Sequence, residues 1–388
     1  MDHYPQDLEN SPYLGEEMLK LTVANTVTAL IQGDISEHYS IRQIPLQGEV
    51  IGLGTTTEID NGELCFLPEG DATTIYKGEP QTGAAIFQDP SSELIHFPYV
   101  CFTSNGAGLG ISVDAASLPP VEAGLQAMVA AAIAQIDSPA DYFGIRLQAH
   151  WQALVVTVAA KLCLWQRGRL LRDRQEDNVY ESLKHFYFAE QSGDPLHHFL
   201  GPAPVWNLSG FYARHPETGL VTVPQANAHL HIHGCSSDLR FAGHIHHEHP
   251  NTRLRLIQGL ILYPIAAVEV LKADLAVIDL RIEEDLLRFT IANQGRMDVS
   301  DADVVIVVNN SYRGHRALRL PWLAQGDRED VAYPIAGLPL QAGTNLIEVI
   351  ANPDQTILEE NLSDNRASIT TVFTPSLMQP CSEDSLSA

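Results

Sequence analysis

Seven of the 16 histidines lie between His229 and His249, in Ala228-His229-Leu230-His231-Ile232-His233 and then Ala242-Gly243-His244-Ile245-His246-His247-Glu248-His249. In a β-strand, residues two apart share a face, so His229, His231 and His233 point one way while Leu230 and Ile232 pack behind them. A turn through the Gly- and Ser-containing segment Gly234–Asp238 returns the chain along Leu239–Ile245 and sets His244 beside that pair. Three imidazoles converging from one hairpin are neutral nitrogen ligands. They suit Zn²⁺ or another divalent transition metal and leave coordination positions open for water or substrate, the arrangement of a catalytic site. His246, His247 and His249 run toward Pro250 and read as solvated turn residues.

The elements that must position this hairpin are mostly short strands. From Ile41 to Thr103 the runs Glu49–Leu53, Gly62–Phe66, Thr73–Tyr76, Ala84–Phe87 and Tyr99–Thr103 are bounded by Gly, Asp, Asn and Pro. Strand text resumes at Tyr142–Leu147 and Trp151–Leu164. Two helices are expected: Glu16–Gln32, where Met18, Leu19, Val23, Val27, Leu30 and Ile31 recur at helical spacing, and Ala-rich Val121–Ile136 behind Pro119-Pro120. After Ala273 the text changes. Leu275–Ile282, Leu287–Ala292, Asp303–Val308, Ala317–Leu320, Val331–Ala336 and Asn345–Ala351 are evenly spaced strands without an intervening helix, the signature of a β-sandwich. The expected organisation is α+β: a mixed β-sheet metal-binding domain over 1–272, an all-β immunoglobulin-like sandwich over 273–373, and a disordered Ser-, Pro- and acid-rich tail over 374–388.

Composition sets limits on partners. The 388 residues carry 23 Lys+Arg against 48 Asp+Glu, a formal charge of −25 that repels nucleic acid and anionic membrane alike. Neither partner is expected; a small-molecule substrate is. The odd number of cysteines, five, forms no C-x-x-C pair and argues for free thiols. Met1–Gly15 lacks a basic segment followed by an apolar one, and no apolar run reaches the ~18 residues of a membrane span. A cytoplasmic protein is expected.

At the histidine hairpin the sequence resembles the alpha-acetolactate decarboxylase family. His231-Ile-His233 followed by Phe241-Ala-Gly-His244 is similar to that family's zinc-binding H-x-H and F-G-G-H elements. Three upstream elements occur in the same order: Gly52-Leu-Gly-Thr55 with Gly62-Glu-Leu64, Tyr142-Phe-Gly-Ile-Arg-Leu147 before Trp151, and Leu208-Ser-Gly-Phe211. Together they cover residues 20–273. The resemblance implies that His231, His233 and His244 bind zinc, with His229 as the alternative if the strand slips by two. It implies a lyase in which the metal holds the enediolate of a 2-hydroxy-3-keto acid after CO₂ leaves. It also implies that Glu63 donates or relays the proton, with Glu269 as candidate for a second carboxylate. One position departs: six residues after Trp151, where the family carries an arginine that pairs with the substrate carboxylate, this chain has Thr157, and Lys161 is the nearest possible replacement. A diverged substrate, another enolate chemistry (tautomerisation, retro-aldol cleavage or cyclisation), or a non-catalytic binding role are the alternatives this opens.

The C-terminal segment resembles CARDB-type immunoglobulin-like domains through Ala273-Asp-Leu-Ala-Val277, Phe289-Thr-Ile-Ala-Asn-Gln-Gly295, Leu340-Gln-Ala-Gly-Thr-Asn345 and Ala351-Asn-Pro-Asp354. That resemblance implies adhesion or assembly, as a homodimer or with a protein partner.

Overall fold

In the computed structural model, the residues described here are 18–32, 34, 37–56, 62–159 and 183–374. Residues 375–388 of the expected tail, Lys161, and residues 160–164 of the expected strand ending at Leu164 fall outside them. The chain divides into two compact units between Leu271 and Lys272.

Among the described residues the first unit contains two large sheets, besides the two-stranded pair Tyr39–Ser40 and His96–Phe97. One has seven strands in the order Ala267–Leu271, Lys20–Ala24, Tyr99–Thr103, Gly52–Thr55, Glu63–Glu69, Ala72–Gly78 and Ala85–Phe87. The other is organised around a single 18-residue strand, Tyr142–Ala159, which joins two segments that read as separate strands in the sequence. Over Tyr142–His150 this strand pairs with Val205–Ala213, which pairs with Leu230–Ser236, which pairs with Ala242–Ile245. Ala242–Ile245 returns to the long strand at Val156 and Thr157, so these four strands close a ring. Most side chains of the long strand are buried, and Phe143, Ile145, Leu147, Leu154, Val156 and Val158 pack with Trp206, Leu208 and Ile232 in one apolar core. Burial on both faces explains its near-continuous apolar text. The buried Arg146 guanidinium donates to the carbonyls of Phe66 and Val50, tying one sheet to the other.

Helices are few. The segment read as one helix over Glu16–Gln32 is instead a strand, Lys20–Ala24, and a six-residue helix, Val27–Gln32. Leu19, Leu21 and Val23 are buried in alternation, fitting a strand held between two neighbours, and Asn25 takes a left-handed conformation (φ 62°) where the chain turns into the helix. The Ala-rich segment narrows to Leu125–Ile133, preceded by a 3₁₀ turn at Val121–Ala123. Among the described residues, no helix is long and apolar enough to cross a membrane.

The second unit is a β-sandwich. Leu275–Glu283, Leu286–Asn293 and Arg328–Pro334 form one sheet, and Ser311–Leu323, Val299–Val308, Gly343–Ala351 and Arg366–Phe373 the other. Their inner residues, among them Leu275, Phe289, Ile291, Val304, Ile306, Ile347 and Val349, make a separate core.

Candidate metal centre

The hairpin brings three histidines together as its alternation requires. His231 and His233 lie on Leu230–Ser236, and His244 pairs with His233 across the hairpin. One nitrogen from each of the three lies within 4.8 Å of the others, with ring centroids 4.9, 5.2 and 5.4 Å apart. Nδ1 of His231 is 2.6 Å from the Val221 carbonyl and Nδ1 of His233 is 2.8 Å from the Leu64 carbonyl. A carbonyl only accepts, so both Nδ1 atoms carry the proton and both Nε2 atoms present lone pairs. Those two Nε2 atoms face each other at 3.1 Å. Two lone pairs at that distance repel unless a cation lies against both. Two nitrogens on one tetrahedral zinc, each ~2.1 Å from it, would stand ~3.4 Å apart. The donor set therefore fits a divalent transition ion, and the carbonyl contacts are the outer support that fixes the ligand tautomer.

Electrostatics point the same way. Burial, partly opposed by the Val221 contact, pushes His231 down to about 4. Burial and the neighbouring imidazoles hold His233 and His244 well below the ordinary histidine range. All three rings are neutral at physiological pH, the form that ligates metal.

Glu63 stands beside them. It begins the strand Glu63–Glu69, pairs with Thr55 at the end of the Gly52-Leu-Gly-Thr55 strand, and is buried. Its Oε1 accepts the Ala159 N–H at 3.1 Å and its Oε2 is 3.7 Å from His233 Nε2. Burial pushes its pKa up to about 8, so the carboxyl keeps its proton at neutral pH. Thr157 is buried, pairs with His244, and lines the same cavity.

Glu269 is not brought to this group. It lies on Ala267–Leu271, four strands from Glu63 across the seven-stranded sheet, about 19 Å at ~4.8 Å per strand, and is ion-paired with Lys20. The alternation Ala-Val-Glu-Val-Leu places it on a half-exposed edge strand instead. His229 turns away as well: its Nδ1 meets the Ala213 carbonyl at 2.9 Å and its ring stacks on Tyr212.

The cavity has a volume of about 790 Å³. Its walls include residues that the sequence reading passed over: Gln126, Thr222, Gln225, Asn227, and also His246 and His247, expected as solvated turn residues. For His246 the signal was present, since it continues the every-second-residue series from His244. The amide-bearing side chains come from the helix Leu125–Ile133 and from one loop about a hundred residues further on, with no shared local pattern. Among the described residues, no lysine or arginine lines the cavity.

No curated protein matches the chain. Among solved structures, alpha-acetolactate decarboxylase from Bacillus subtilis strain 168 aligns at 14% identity, covering 65% of this chain and 88% of that one, with a TM-score of 0.44. A Staphylococcus aureus protein of unknown function, described as similar to alpha-acetolactate decarboxylase, aligns with the same identity, coverage and score. The CARDB domain of a Pyrococcus furiosus protein, solved in complex with di-metal ions, aligns at 17% identity over 26% of this chain and 85% of its own, with a TM-score of 0.20. The chain thus joins a three-histidine, mostly β unit to a β-sandwich whose residues 281–369 match the CARDB family.

Proposed function

We propose that the first unit is a metal-dependent carbon–carbon lyase of the acetolactate decarboxylase type, acting on a hydroxy-keto substrate that has diverged from acetolactate. The observation that carries this reading is the pair of facing Nε2 lone pairs of His231 and His233 beside the buried carboxyl of Glu63. When bound there, Zn²⁺ or another divalent transition ion supplies a Lewis acid that polarises a ketone oxygen and the adjacent hydroxyl. His231 and His233 are held in the ligating tautomer by the Val221 and Leu64 carbonyls. Glu63, fixed through Oε1 by the Ala159 amide, delivers its proton from Oε2 to the substrate carbon that loses the carboxyl group.

Substrate choice follows from the rest of the cavity lining. Thr157 stands where the resemblance expects a carboxylate-pairing arginine, and Gln126, Gln225, Asn227 and Thr222 offer uncharged hydrogen-bonding groups. Such a wall suits hydroxyl and carbonyl oxygens better than a carboxylate. The same feature favours a second reading, in which the site performs tautomerisation, retro-aldol cleavage or cyclisation on a neutral hydroxyketone. The buried free thiols of Cys65, Cys101 and Cys235 support a reducing compartment, the cytosol.

The test is a comparison of metal-stripped and zinc-reloaded protein, following CO₂ release from racemic acetolactate and NMR-detected conversion of neutral hydroxyketones. Zinc-dependent conversion of at least one class is expected, with acetolactate the poorer substrate. Inertness of the reloaded protein toward both classes would contradict the proposal.

A further inference from the structure

The cavity beside the three histidines has two chemically different ends. On the seven-stranded sheet, Glu63 pairs with Thr55 and Thr55 pairs with Tyr99, both antiparallel. Residues directly opposite one another in an antiparallel ladder project from the same face, and all three line the cavity. They form a row across three neighbouring strands. At ~4.8 Å per strand, Tyr99 stands about 10 Å along the sheet from Glu63. Thr55 donates its hydroxyl to the Gly62 carbonyl at 3.0 Å, and Tyr99 donates its own to the Leu220 carbonyl at 3.2 Å. With both hydroxyls spent on the backbone, what the row offers beyond Glu63 is a methyl group and an aromatic ring.

Tyr99 belongs to an apolar cluster that also holds Val27, Leu30 and Val223, and those three line the cavity as well. Val27 and Leu30 come from the helix Val27–Gln32, and Val223 from the loop ahead of the strand that carries His231 and His233. Leu30 and Val223 are only partly buried, so apolar surface at this end is left for something other than protein to cover. An apolar group that displaces water from such surface gains free energy in proportion to the area covered. The cavity's volume of about 790 Å³ falls in the ~300–1,000 Å³ range that encloses drug-sized ligands. A molecule as small as acetolactate would leave most of that space, and all of the apolar end, to water.

Taking the lyase reading of the metal centre as given, we infer that the substrate carries an uncharged apolar arm of about five or six carbons on the carbon that Glu63 protonates, running past Thr55 to the wall of Val27, Leu30, Tyr99 and Val223. The arm covers the ~10 Å row less the ~3 Å of a proton-transfer contact. Among the described residues no lysine or arginine lines the cavity, which fits an arm without charge. Leu30, Tyr99 and Val223 are then specificity-determining residues, setting which hydroxy-keto compound is taken rather than what is done to it.

The probes are racemic 2-alkyl-2-hydroxy-3-oxobutanoates, with alkyl groups from methyl (acetolactate itself) to octyl, and the 3-hydroxy-2-alkanones that these become on losing CO₂. With the zinc-loaded full chain, kcat/KM for CO₂ release should rise about two- to fourfold per methylene up to pentyl or hexyl and then level off. Calorimetric Kd values for the ketones should tighten by the same factor, in zinc-loaded and metal-stripped protein alike, because the apolar wall contains no metal ligand. Val223→Trp, which fills that end, should flatten both series. Turnover of the acids with kcat/KM flat or falling from methyl to hexyl would overturn the inference and leave the lyase reading standing. Ketone affinities indifferent to arm length in the wild type, a measurement that needs no variant to fold, would overturn it too. Affinities that tighten along the series while no acid is decarboxylated would keep the apolar wall as a binding site and remove the lyase reading.

Discussion

At the scale of residues, the two groups that distinguish this cavity are Glu63 and Thr157. Glu63 lies close enough to the imidazoles to act on whatever they hold, but its replacement leaves all three nitrogens in place. Glu63→Gln should therefore keep the zinc stoichiometry and lower turnover about 10²- to 10⁴-fold, the range for loss of a positioned acid or base; stoichiometry and rate measured on one preparation check this. Thr157→Arg restores a bidentate cation. A hydrogen bond to a charged group contributes about 1.5–3 kcal/mol, so kcat/KM for acetolactate should rise about ten- to a hundredfold relative to wild type. An unchanged value, with zinc still bound, would mean that the carboxylate sits elsewhere. The three-histidine cluster was legible in the sequence because His231 and His233 repeat with the strand period and His244 follows a single turn. Glu269 shows where that legibility ends. Local alternation tells which face of a strand a carboxylate takes, and says nothing of how many strands lie between it and the site.

Elements do the positioning through close backbone approach. Gly210, in Val205–Ala213, pairs with Ile232 between the two ligands of the neighbouring strand. A Cβ built there would stand 2.2 Å from the His231 carbonyl oxygen, a backbone atom with no rotamer to move. Gly210→Ala should push the ligand strand outward, costing about 1–3 kcal/mol of stability and weakening zinc binding beyond what the lost stability explains. A denaturant titration together with a zinc titration separates the two effects. The glycine was visible in Leu208-Ser-Gly-Phe211, yet its reason, the crowding of one strand against the next, exists only once register is set. Register also explains the misread N-terminal helix. Leu19, Leu21, Val23 and Val27 fit both a period of 2 and part of a helical stripe, and pairing with Tyr99–Thr103 and Ala267–Leu271 decides for the strand. The cavity's amide wall was hidden because its members lie on segments far apart in the chain.

For the whole molecule, the histidines, Glu63 and the cavity all belong to the first unit, while the sandwich has its own apolar core. A chain ending after Leu271 should bind zinc with the wild-type stoichiometry, and a fragment beginning at Lys272 should unfold cooperatively by itself; calorimetry and metal analysis of the two pieces check this. The sandwich was readable from the spacing of its strands because an antiparallel sandwich repeats one local device. The first unit was readable only in pieces, since the 18-residue strand that unites it pairs with partners as distant as Ala242–Ile245 and Arg253–Ile265. The proposed lyase requires that His231, His233 and His244 be a ligand set. An anomalous difference map at the zinc edge, from crystals of the full chain grown with zinc, tests this most directly. A peak ~2.1 Å from a nitrogen of each of the three histidines is expected. A map with no peak there, the three imidazoles being joined only by hydrogen bonds or water, would contradict it.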